Sequence, residues 1–281
     1  MLLLLILSTT LATAQKKTPP VPAPLLTRTV SRHETRRFGF GGTFTVVGAP
    51  RGSITIEGWS KNEVDLSAEI EVQGATEEDM SRLVNVTGFL LDDDSNHMSL
   101  ITAGTHDKEY MKRAAKNFPK QLLSLPWKID YTLRVPQMTD LEINAGVGTV
   151  KVSAVEGALR VNSAQSQVEL NVTGETANVT IGTGNIKFAV PARSWHGSGV
   201  DIQLAAGQLV VELPAGFSAE IDADILRTGK VDNAYGLEPR ARNSISDKSL
   251  KGRAGAGGAF LKFTVGDGEI HIKKSELQER Q

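Results

Sequence analysis

Between Leu141 and Val172 apolar residues recur in triplets around one polar position: Leu141/Ile143, Val150/Val152, Leu159/Val161 and Val168/Leu170. Each triplet starts nine residues after the last. Alternation within a triplet is the signature of a half-buried strand, with two side chains turned inward and one outward. Gly146, Gly148, Gly157 and small polar residues separate the triplets and turn the chain. A nine-residue step is too short for a crossover through a helix. It suits a short strand and a turn, repeated.

The same pattern predicts elements on either side. Phe44/Val46, Ile54/Ile56 and Val64/Leu66 read as strands, with a turn at Gly48–Gly52. Thr76 followed by Asp79 predicts a capped short helix. Phe89–Thr102 reads as two strands joined by an acidic turn. In His106–Trp127, Tyr110, Met111, Ala114, Ala115 and Phe118 fall at helical spacing, with Lys108, Lys112, Arg113 and Lys116 opposite and Pro119 as terminator. The repeat then returns through Val179/Ile181, Ile186/Phe188, Ile202/Leu204, Leu209/Val211 and Ala219/Ile221. Residues 227–258 interrupt it as a polar loop, and Leu261/Phe263 and Ile270/Ile272 restore it.

Two assemblies can use such strands. In a solenoid with two nine-residue steps per coil, residues 18 apart stack, so Glu142 meets Arg160, Lys151 meets Glu169, and Glu169 meets Lys187. Consecutive hairpins would place Glu142 beside Lys151 and Arg160 beside Glu169, which is equally complementary. Charge fits both. The connectors favour the solenoid: "NAGVG", "SAVEG", "NSAQS" and "NVTGETAN" are not the Asn-Gly or Asp-Gly turns of tight hairpins. The fold class expected is therefore all-β, a single β-solenoid of short strands with glycine-rich turns plus one or two short helices.

Composition narrows the setting. Met1–Leu11 is an apolar run followed by Ala12-Thr13-Ala14, which reads as a signal peptide over residues 1–14 although no basic residue precedes it. The run is too short to span a bilayer, and no other stretch is long enough. Residues 15–37 carry four prolines and two lysines in their first half and are expected to be a tether. The solenoid domain is assigned to 38–274, with a helical insertion at 106–124 and a flexible loop at 227–258, and 275–281 is a polar tail. The absence of cysteine leaves no disulfide or thiolate metal site, so stability rests on the core. A net charge of −1 gives no field that would recruit nucleic acid.

Gly52–Ile70, Lys128–Val161 and Gly266–Ile272 carry, in order, "GSITIEGW", "YTLRVP" and glycine-led strands. In these the chain resembles the bacterial putative-adhesin domain family of unknown function, a toastrack-like β-solenoid. The resemblance spans about Phe38 to Lys274. It implies the solenoid and brings no catalytic residues with it. The basic helix and the 227–258 loop depart from the family's pattern.

Candidate chemistry is sparse. Asp92, Asp94 and Asn96 imitate the start of a calcium loop, but His97 and Ala103 stand where glycine and glutamate are needed, so the segment is an acidic turn. Gly146-x-Gly148 and Gly182-x-Gly184 lack the further glycine and the helix of a phosphate loop, and read as turns. His33, His97, His106, His196 and His271 have no metal-ligand spacing. Asp201, Glu212, Asp267 and Glu269 are the carboxylates a polysaccharide-cleaving β-helix would need on one face, and the sequence does not bring them together. If the source is bacterial, the "NVT" sequons at Asn85, Asn171 and Asn178 are chance products of a β-rich, Asn-rich sequence. The basic helix 108–118 is expected to cap an open end of the solenoid, the alternative being contact with anionic lipid or polymer.

These readings predict an exported, non-catalytic module of the cell envelope, structural or adhesive, in the periplasm, at the surface or outside. No catalytic, cofactor-binding or metal residue is assigned, and no cofactor. Envelope polysaccharide or another envelope protein is the expected partner. The rivals are a polysaccharide-active β-helix enzyme and a periplasmic binding or sensory protein acting through a partner.

Overall fold

The computed structural model describes residues 24–94, 96–241 and 246–275. The signal peptide and most of the proline-rich stretch lie outside them, as do 276–281 of the polar tail. From Asp140 onward the nine-residue rhythm becomes strands directly: β8 (Asp140–Ala145), β9 (Gly148–Ser153), β10 (Leu159–Asn171), β11 (Thr176–Ala189) and β12 (Gly199–Leu213). Each long strand holds two triplets, one before and one after a bend. In β10, Leu159–Ser163 pairs in parallel with β8, and Ser166–Asn171 with β9. One coil thus contributes a strand to each of two walls, which meet at the bend.

The register is the predicted one. Leu159 lies against Leu141 and Ala177, 18 residues to either side, so Glu142 stacks on Arg160 and Glu169 stands between Lys151 and Lys187. Lys151 Nζ reaches the Glu169 carboxylate at 2.9 Å. Inward residues form continuous ladders, as in Ile143, Val161, Val179, Ile202, Phe263 and Ala223. All six are buried, and they belong to one core cluster filled from both walls. Burying each of the Val, Ile and Phe side chains contributes about 1.5–3 kcal/mol, which lets a chain without disulfides hold together.

The bend is a stack of glycines. Gly52, Gly148, Gly184, Gly207, Gly268 and Gly229 all have φ between 132° and 154°. A Cβ on Gly207 would lie 1.7 Å from the Gly184 carbonyl oxygen, and one on Gly268 would lie 1.7 Å from that of Gly207. Successive coils approach so closely at the corner that only hydrogen fits. Ser166 interrupts the column with its hydroxyl on the Gly146 carbonyl at 3.0 Å. Gly146-x-Gly148 joins β8 to β9 as the turn the sequence suggested, whereas Gly182-x-Gly184 is no turn but lies inside β11 at its bend.

At both ends the order in space departs from the order in the chain. The coil of β2 (Thr43–Val47) and β3 (Ile54–Trp59) lies between β8/β9 and a coil made by β6 (His97–Ala103) and β7 (Trp127–Pro136). Antiparallel strands extend the two walls beyond it: β5 (Gly88–Asp93) on β6, and β4 (Glu63–Gly74) on β7 with β1 (Leu26–Arg37) outermost. At the other end β16 (Phe260–Lys274) lies between β12 and β13 (Ala219–Asn233). The short strands β14 (Glu238–Pro239) and β15 (Ser249–Ala254) finish one wall there.

Two expectations are corrected. The tether assigned to 15–37 gives way at Leu26 to the twelve-residue strand β1. Its sequence, LTRTVSRHETRR, shows no apolar stripe because most of its side chains stay exposed, and backbone pairing with β4 holds it. About half of the described residues in the flexible loop assigned to 227–258 are instead strand: the second half of β13, then β14 and β15. A register shift between Ile225 and Thr228 breaks the alternation that would have revealed β13, and Leu226 is left exposed. Residues 242–245 of that stretch lie outside those described.

Helix α1 (Glu77–Val86) has the predicted cap, with the Asp79 amide donating to Thr76 Oγ1 at 3.1 Å. Helix α2 (Lys108–Ala114) is shorter than the 108–118 expected. The Asp107 side chain accepts from the Glu109 and Tyr110 amides at its start. Of the residues expected against the core, Met111 is buried and Tyr110 and Phe118 half-buried, but Ala114 is exposed. Helix α2 lies in the β6–β7 connection, and it is α1 that packs on the end strands β4 and β1.

Candidate functional site

Every inner coil turns its corner through a few residues, but the outermost needs Gly104–Pro126 to pass from β6 to β7. This insertion folds back beside the Pro50–Gly52 corner and leaves a cleft of about 320 Å³. Arg51, Thr105, His106, Leu123 and Trp127 line it. Backbone pairing fixes the two sides. The Ile129 amide donates to the Arg51 carbonyl at 3.2 Å and the Tyr131 amide to that of Ser53 at 2.8 Å. Asp130 Oδ1 accepts from the Ser53 amide at 2.7 Å and from its hydroxyl at 2.8 Å, and Lys128 Nζ donates to Oδ2 at 3.0 Å. Burial raises the Asp130 pKa, but these donors outweigh it and hold the carboxyl below its usual range.

The indole of Trp127 is half-buried, with its N–H on Thr105 Oγ1 at 2.8 Å. Gly104 lies under the ring, where a Cβ would come within 2.8 Å of it. The His106 ring tilts against the indole at 5.3 Å between centroids. Burial lowers the His106 pKa, so the imidazole is neutral at pH 7 and can both donate and accept. Asp107, beside it, is held below its usual range first by the Tyr110 amide. Deeper in, the Tyr131 hydroxyl bonds Thr102 Oγ1 at 2.8 Å, and burial pushes its pKa up to about 12. That phenol stays protonated and structural.

The carboxylates weighed from sequence go to separate places. Asp201 stands on the outer face of one wall, paired in register with Lys262. Glu212 stands on the other, between Lys187 at 3.1 Å and Lys273 at 3.3 Å. Asp267 sits at the corner on Arg227, which holds its pKa down through a hydrogen bond. Glu269 accepts from His271 Nε2 at 2.9 Å. Each lies beside a basic group and they do not converge. Asp94 caps the acidic turn by accepting from the Asn96 and His97 amides. His33 meets Asp65, His97 meets Thr45, and His196 is exposed. Among the described residues no three His, Asp or Glu side chains come together as a metal site.

Sequence reading marked the insertion as foreign to the repeat but did not see the cleft. Arg51 and Trp127 are 76 positions apart and meet because β3 pairs with β7 in the register Ile54–Tyr131. The two motifs "GSITI" and "KIDYTL" were the available signal, since both open on the same corner.

Fold and cleft together define an all-β solenoid whose side insertion forms a recess with an aromatic floor and basic groups. No family model matches the chain, and no curated protein matches it. Solved structures similar to it include a putative cell adhesion protein from Clostridium sporogenes, at 12% identity over 88% of this chain and 100% of that one, with a TM-score of 0.42. They also include a putative adhesin from Bacteroides fragilis, at 11% identity over 88% and 97%, TM-score 0.27. A third is a putative lipid binding protein from Parabacteroides distasonis, at 12% identity over 88% and 97%, TM-score 0.26. Among the described residues no helix is long and apolar enough to cross a membrane.

Proposed function

We propose that the chain is an exported, non-catalytic module of the bacterial cell envelope that serves a structural or adhesive role. The observation that carries this reading is the make-up of the cleft. An indole, a guanidinium and an imidazole line it, a flat apolar surface beside hydrogen-bond donors that suits holding a ligand. The carboxylates elsewhere support the same view, since Glu212, Asp267 and Glu269 are engaged in pairs on the outer faces. The parallel ladders make a stiff carrier for such a recess.

The test is retention of envelope material. The protein beginning at Gln15 is immobilised and challenged with separated polysaccharide, peptidoglycan and membrane-protein fractions of a bacterial envelope. Saturable retention of one fraction is expected. Failure to retain any of them, or measurable breakdown of a polysaccharide, would sink the reading.

A further inference from the structure

The two other tryptophans help to assign the cleft. Trp59 is already covered by cations, with Lys61 Nζ 4.5 Å and the Arg134 guanidinium 5.8 Å from its ring. Trp195 is buried in the core and its N–H bonds the Glu175 carbonyl. Trp127, by contrast, lines the cleft beside Arg51. Its neighbours also differ from those elsewhere on the surface. Arg227, at the same kind of corner, is engaged by Asp267, whereas Arg51 takes part in none of the ion pairs among the described residues. Lys108 and Lys116, exposed on the adjoining segment, likewise stand outside those pairs.

We propose that this cleft binds a uronate residue of an acidic polysaccharide, with the sugar ring against Trp127 and the carboxylate on Arg51. An indole offers a flat apolar surface to the C–H face of a pyranose. A guanidinium presents paired donors that match a carboxylate. The neutral His106 imidazole has one donor and one acceptor for ring hydroxyls, and Ser124 adds a hydroxyl at the rim. The volume is near the lower end of small-molecule sites, about 300–1,000 Å³, so one or two sugar rings enter while the polymer continues across the surface. Exposed Lys108 and Lys116 raise the local concentration of a polyanion without fixing its pose. This inference rests on the envelope-binding reading and narrows it to a place and a ligand class.

Tetragalacturonate and its fully methyl-esterified form are titrated against the full chain from Gln15, with tryptophan fluorescence and calorimetry as readouts. The acid is expected to bind saturably and the ester at least tenfold more weakly. Arg51→Gln, an exposed change, should weaken the acid about tenfold and leave the melting temperature unchanged, and Trp127→Phe should weaken it several-fold. Free galacturonate should compete, which separates recognition of the sugar from capture of a polymer by charge alone. Equal binding of acid and ester, unchanged binding by Arg51→Gln, or no saturable binding would overturn the assignment. So would preferential capture on phosphatidylglycerol vesicles that survives Arg51→Gln, because the basic face would then serve lipid. If envelope polysaccharide is retained equally by wild type and Arg51→Gln, the site is wrong and the module's role stands. If wild type retains nothing, the role itself fails.

Discussion

From β8/β9 to β12 each coil lies against the one that precedes it in the chain, and residues 18 or 23 positions apart become neighbours. At the two ends this rule fails in the same way. The coil β2/β3 is held one layer in from the start by β6/β7, and β16 is held one layer in from the finish by β13. A periodic sequence specifies its interior cheaply, because every coil finds a partner made just before it. An end has no such partner on one side, and here each is closed by strands from a distant part of the chain. The terminal strands also carry the antiparallel pairs β1–β4, β5–β6 and β13–β15, which break the parallel template that another coil would extend.

The sharpest way to break this contrast is to remove the inserted strand. Truncation before Phe260 deprives both β12 and β13 of their common neighbour, and the protein is expected to lose cooperative thermal unfolding and to aggregate. A soluble truncated protein with an intact melting transition would show that the C-terminal coil is an accessory.

The next effect belongs to the regular interior. Val161 is fully buried between Ile143 and Val179, so Val161→Asp places an unpaired charge in a dry ladder and should cost about 4 kcal/mol or more. Arg160→Ser, one residue away and exposed, should cost well under about 1 kcal/mol. Chemical denaturation of the two proteins measures the difference, and similar losses would mean the faces are misassigned.

Gly207→Ala tests the corner itself. Its backbone is at φ 140° and the Gly184 carbonyl occupies the place of a Cβ, so a loss of about 2–5 kcal/mol is expected from strain and forced separation. Ser166→Ala, in the same column, removes only a hydroxyl and should cost about 1 kcal/mol. A small effect of opposite sign is expected at Ala154, whose φ of 55° is left-handed. Ala154→Gly should raise stability by roughly 1 kcal/mol or less, read as a small rise in melting temperature.

How far the sequence could be read follows the same division. Val150/Val152 and Leu159/Val161 were legible because burial on one face forces alternation, and the charges at Glu142, Arg160 and Glu169 fell into the predicted stack. Strand β1 was not, since Arg28, Arg32 and Arg36 occupy its inward positions beyond the edge of the core. The second half of β13 was hidden by its register shift. The order beside β12 was hidden because the first half of β13 carries the same alternation as β16. The cleft was legible only in part. The foreign composition of His106–Trp127 pointed to it, while Arg51 came from a turn that looked like any other.

The place of β16 also sets a timetable. Strands β12 and β13 are complete by Asn233, but the strand that joins them ends at Lys274. At about 5–20 residues per second of synthesis, that is a wait of roughly 2–8 s with two bare edges facing one another. The pairing of Val200 with Leu261 then closes a long loop, which is slow beside the short closures of the interior. A chain that emerges in order from a ribosome or an export channel can therefore wind its middle as it appears, but must leave its last third ajar until the closing strand arrives.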